Sequence, residues 1–155
     1  MKKGQVALEF IMTYGWAILA VLVAIGALAY FGVLSPSKYL PDKCIFTTGL
    51  NCKDFAFTQS GNDLNVSFTI TNNLGDSMII AAGGLASRYK DATVGCDALP
   101  ATIVAGDSKG FTCKFTGLGP GVAQSVKASV VLNYTLSQGV YGKRATGDIS
   151  GTVQS

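Results

Sequence analysis

Histidine is absent from this 155-residue chain, and glutamate occurs once, at Glu9. Without histidine there is no common general base, no Ser-His or Cys-His nucleophile pair and no imidazole metal ligand. One Glu beside eight scattered Asp leaves few ways to pair carboxylates for acid–base work. A phosphate cradle is missing too. Gly117-Leu118-Gly119-Pro120-Gly121 contains a proline and no following Lys-Ser/Thr, so it reads as a loop. Charged residues make up only 14% of the chain, and the net charge of +3 includes Lys2 and Lys3, leaving the remainder near neutral. No basic stripe exists to follow a nucleic-acid backbone. These absences argue against an enzyme, a cofactor site, a metal centre and a nucleic-acid binder.

What is abundant is apolar surface, 48% of residues, and much of it lies in the first 35 positions. From Phe10 to Ser37 there is no charge at all. Phe10 to Leu34 is long enough to cross a hydrocarbon layer of about 30 Å as a helix. Ser35-Pro36 is expected to end it, because proline disfavours helical geometry in the residue before it. The basic start fits a secretory signal peptide, but the apolar run exceeds the usual length of about 7–15 residues. It also continues past the small residues Ala27 and Ala29 to Phe31 and Leu34, so a membrane-spanning helix is the better reading. Lys2 and Lys3 place the N-terminus in the cytoplasm and the rest of the chain outside, although Lys38 and Lys43 on the far side reduce that asymmetry. Ala17, Ala20, Ala24 and Ala27 recur at helical spacing on one face, where small side chains let apolar helices approach closely. The plainer account is that alanine is common in membrane helices. Gly15 and Gly26 are points of possible bending.

Glu9 stands near the start of this run, and a carboxylate in such a place marks a functional position. Lys-Lys-Gly4 followed by Gln5-Val-Ala-Leu-Glu9-Phe-Ile-Met-Thr-Tyr-Gly-Trp-Ala resembles the N-terminus of archaeal type IV pilins with a class III signal peptide. The resemblance covers roughly the first 30 residues. It implies a four-residue leader, cut by a membrane prepilin peptidase between Gly4 and Gln5, with Glu9 at the fifth mature position. Mature positions three and nine carry Ala7 and Thr13 where the family often has Ser and Leu. In the family view, the Glu9 carboxylate pairs with the α-amine freed on Gln5, of a neighbour or of its own chain. Pairing offsets a desolvation cost of several kcal/mol and fixes axial register. The structural alternative is that Glu9 reaches back to the headgroups.

Residues 35–43 read as a short proline-containing linker, and residues 44–155 as an extracellular head. In the head a two-residue period dominates: Leu64, Val66, Phe68 and Ile70 alternate with polar residues, as do Val126, Ala128, Val130, Leu132, Tyr134 and Leu136. Phe55/Phe57 and Phe111/Cys113/Phe115 give shorter versions. Turn signals separate them at Ser60–Asp63, Asn72–Asp76, Ala105–Ser108 and Gln138-Gly139, the last leading into a strand from about Val140 to Val153. The expected fold class is therefore α+β: a long apolar helix (5–34), then six to eight strands in an antiparallel, immunoglobulin-like β-sandwich.

Cys44, Cys52, Cys96 and Cys113 allow three pairings. Cys44–Cys52, closing a small loop, with Cys96–Cys113, joining neighbouring strands, is the preferred set; buried free thiols are the alternative. Zinc is disfavoured by the spacing and by the missing histidine. Two sequons, Asn65-Val-Ser67 and Asn133-Tyr-Thr135, present Asn65 and Asn133 on polar strand faces as N-glycosylation candidates. Phe46, Tyr89 and Tyr141 are candidate exposed aromatics, core burial being their commoner fate.

The resemblance implies a structural subunit of an extracellular adhesion filament. Its partners would be membrane lipid before assembly, the peptidase, an assembly ATPase with its membrane platform, and copies of itself. The alternatives are an uncut, membrane-anchored binding module, and a minor pilin or pseudopilin of a secretion or uptake machine.

Overall fold

The computed structural model describes residues 2–32, 41–47, 49–97 and 99–155. They fall into two compact units, divided between Tyr39 and Leu40. The first is a single helix, α1 (Lys2–Tyr30). It contains no proline, and Ala, Leu and Ile supply 13 of its 29 residues, which outweighs the three glycines. It ends where Phe31 donates to the Ala27 carbonyl at 2.9 Å and Gly32 to Ala29 at 3.1 Å, with Gly32 at φ 70°. Glycine takes that left-handed conformation without the steric cost of a Cβ. The helix thus stops at Tyr30, short of the expected Leu34, because Gly32 terminates it first. Ser35 and Pro36, the expected terminators, lie outside the described residues, as does most of the expected linker.

Among the described residues, the regular elements of the second unit are all strands. In chain order these are β1 (Lys43–Phe46), β2 (Leu50–Ser60), β3 (Asp63–Asn72), β4 (Met78–Ile80), β5 (Leu85–Tyr89), β6 (Ala92–Gly95), β7 (Ala101–Ile103), β8 (Ser108–Phe115), β9 (Ser125–Leu136) and β10 (Lys143–Gln154). These ten exceed the expected six to eight. The main sheet runs β6-β5-β9-β10-β2-β3-β8, with β1 also on β10, and β4 bridging β9 and β7. Ladders are antiparallel with one exception that corrects the all-antiparallel expectation. Val153 and Gln154 of β10 run parallel to Phe57 and Thr58 of β2. The cause is a hand-over along one edge of β10. β1 occupies that edge from Gly147 to Ser150. Asp42 Oδ1 accepts the Thr152 amide at 3.2 Å, and β2 takes the remainder.

The sheet curls until its two ends meet. Cys96, just past β6, bridges Cys113 of β8, and the Asp97 amide donates to the Thr112 carbonyl at 2.8 Å. Inside the curl lies a continuous apolar core. β3 alternates strictly, with Leu64, Val66, Phe68 and Ile70 buried, and Val130 and Leu132 of β9 are sealed opposite. Phe68 stands between Phe46 and Phe111, with ring centroids 5.9 and 6.1 Å away. Asn72 is the buried polar exception, and its amide is fully used. Nδ2 donates to the carbonyls of Asp76 and Ile103, both at 2.8 Å, and Oδ1 accepts from the Leu74 amide at 3.0 Å. Burial without those bonds would cost roughly 1–3 kcal/mol. Gly49, at φ 88°, is required nearby, because a Cβ there would run into the Leu74 side chain.

Candidate functional site: the N-terminal apolar helix

Ala7–Tyr30 is 24 residues long with mean hydropathy 2.2, so α1 has the length and composition of a membrane span, about 36 Å along its axis. Its large apolar side chains, from Leu8 to Tyr30, are 47–87% exposed. A lone helix cannot bury this hydrophobic surface against itself.

The helix is not uniform around its circumference. At about 3.6 residues per turn, Glu9, Thr13, Ala17, Ala20, Ala24 and Ala27 fall within about a quarter of its surface, and no other residue between 9 and 27 falls there. Thr13 was not expected on this stripe. It signals its place only through i, i+4 spacing from both Glu9 and Ala17. The Thr13 hydroxyl donates to the main-chain carbonyl of Glu9 at 2.8 Å, which leaves the carboxylate itself unengaged by it. Glu9 makes no ion pair among the described residues. Gln5 lies one helical turn before Glu9, about 6 Å along the axis on the same side.

The glycines of this helix have no internal reason to be glycine. A methyl group on Gly4 or Gly26 would meet nothing within 4 Å, and one on Gly15 would touch only Ile11 at 3.8 Å. Each costs roughly 1 kcal/mol of helix propensity relative to alanine.

In the head, the structure pairs Cys44 with Cys52 and Cys96 with Cys113, with Cα atoms 5.9 and 4.1 Å apart. Both bridges cross places where the hydrogen-bond ladder is thin. The first ties β1 to β2, which share no ladder of their own, and the second staples the ends of the curl. Two disulfides fit an oxidising, extracytoplasmic setting. The sequons are on separate strands. Asn65 is half-buried on β3 between Thr58 and Lys114, and Asn133 is exposed on β9 opposite Arg144. Phe46 and Tyr89 are buried, while Tyr141 is 83% exposed.

Two carboxylates organise loops. Asp76 accepts from the Ser77 amide (2.7 Å), the Ser137 hydroxyl (2.6 Å) and the Gln138 amide (3.1 Å). Those bonds, Ser137 foremost, hold its pKa below the ordinary carboxylate value. Asp63 is lowered likewise by the Gly117 amide at 2.9 Å and then by Lys114 at 2.9 Å. Among the described residues no group of three or more His, Cys, Asp or Glu is placed to hold a metal ion. Neither a protein-family model nor a curated protein matches this chain.

Proposed function

We propose that this chain is a structural subunit of an extracellular filament of the type IV pilus kind, similar to archaeal type IV pilins. The observation that carries the reading is α1: a membrane-length apolar helix, exposed along its length, with a lengthwise strip of Glu, Thr and Ala. In lipid such a strip gains little from water exclusion, but it permits close van der Waals contact between helices. Gly4, which its own fold does not need, suits a peptide backbone that must enter a peptidase. Cutting after Gly4 frees an amine on Gln5 one turn from Glu9, supplying the counter-charge that an acid in this setting requires. The curled β-domain, read as an immunoglobulin-like sandwich, forms the outer head, and its two disulfides suit that exposure. Adhesion is the expected role, with processing and assembly partners as the resemblance implies.

An uncut anchored module is the second reading. It is favoured by the unbroken helix from Lys2 through the Gly4–Gln5 peptide, which a peptidase would have to unwind. The mass of the N-terminus in protein from the native host separates them: a chain beginning at Gln5 supports the filament subunit, an intact Met1 or Lys2 the anchored module. Ala24→Leu, on the stripe, is expected to reduce filament yield at least about tenfold, whereas Val21→Leu, off it, leaves yield near wild type. Equal yields from the two would remove the stripe from assembly.

A further inference from the structure

The loop between β9 and β10 combines features that the core does not explain. Val140 and Tyr141 at its tip are 90% and 83% exposed, the most exposed large apolar side chains among the described residues of the head. Glycines flank them at 139 and 142, and two cations, Lys143 and Arg144, follow at once. Both cations are exposed, and neither has an ion-pair partner among the described residues. The first half of the loop is pinned. Asp76 holds Ser137 and Gln138, the Ser137 amide donates to Ser77 at 2.9 Å, and Gly139 donates back to Leu136 at 2.9 Å. A rigid base therefore carries an aromatic tip beside two cations held on the first ladder positions of β10, an arrangement that lowers the ordering cost of binding.

From this arrangement we infer that the β9–β10 tip is a contact site for an acidic polysaccharide. Tyr141 offers an aromatic face to the C–H side of a pyranose ring, and Lys143 and Arg144, which as successive residues of β10 leave opposite faces of the strand, offer charge-assisted hydrogen bonds to carboxylates of successive sugar units on either side of it. Charge complementarity selects a polyanion. The small apolar component, two residues, is far less than the face that an interfacial membrane anchor buries. A single tip holds such a ligand weakly. Many tips along a filament would engage the repeats of one polymer, and for this avidity alone the inference rests on the filament reading.

The test uses the uncut full chain in detergent micelles, so that its outcome is independent of cleavage and assembly. The probe is immobilised alginate, a polyuronate, compared with neutral dextran and with vesicles containing phosphatidylglycerol. Salt-sensitive retention on alginate and none on dextran is expected. K143Q/R144Q should weaken it about tenfold or more, and Tyr141→Ala about threefold, with unchanged melting in both variants. Retention unaltered by these substitutions, equal binding to dextran, or a preference for the vesicles over alginate would each overturn the assignment.

Discussion

Leucine has opposite fates in the two units of this chain. In the head, Leu64, Leu85 and Leu132 are 0% exposed; on α1, Leu8, Leu19, Leu22 and Leu28 are 47–64% exposed. The head solves its hydrophobic problem within itself, through strands of period two wrapped around one core. The helix, a single element, cannot solve the same problem within itself. In the filament reading proposed above, assembly would fall to the helix and recognition to the head.

The comparison can be broken most forcefully at leucine itself. Leu132→Ala should cost the head roughly 2–5 kcal/mol, through lost transfer energy plus a cavity. Leu22→Ala should leave the head's unfolding midpoint within about 0.5 kcal/mol of wild type. Denaturant unfolding of both variants in detergent checks this, and similar losses would mean that the helix supports the head. Next in size are the disulfides. Replacing Cys96 and Cys113 by Ser should cost about 3 kcal/mol, and Cys44 with Cys52 slightly less because the closed loop is shorter. Midpoints measured on the two double variants give the ranking.

The smallest effect is that of acid. Asp63 and Asp76 are more acidic in the folded head than in an open chain, so the unfolded state binds more protons as their carboxyls titrate. Their contribution is complete above the ordinary value of 3.8 and fades as pH falls through the lowered folded value. Asp76→Asn should therefore flatten the decline of the unfolding midpoint below about pH 4, with little change in its pH dependence near neutrality. An unaltered acid slope would show that the Ser137 and Gln138 bonds are not formed in solution.

Legibility from sequence followed element length and regularity. β3 and β9 announced themselves, because four to six large residues alternate without interruption. β4 and β7, three residues each, are too short for a period to register. β10 was misplaced by three residues at its start because its inward positions are mostly small: Ala145, Gly147 and Gly151 beside Ile149 and Val153. Its parallel contact with β2 was invisible, since which edge a strand shares depends on where β1 stops. On the helix, the alanines and Glu9 were legible individually. Thr13 joined them only once an unbroken α1 fixed the angle between positions nine and seventeen.

β10 is the latest strand in sequence, yet it lies in the interior of the sheet, flanked by β9 on one side and by β1 and then β2 on the other. During synthesis, the head's earlier strands must wait for residues 143–154 before the curl can shut. A ribosome-bound intermediate that has not yet released β10 lacks its central plank, and its sheet stays open. Closure, and with it the Cys96–Cys113 staple across the two ends of the sheet, then follows the arrival of that strand.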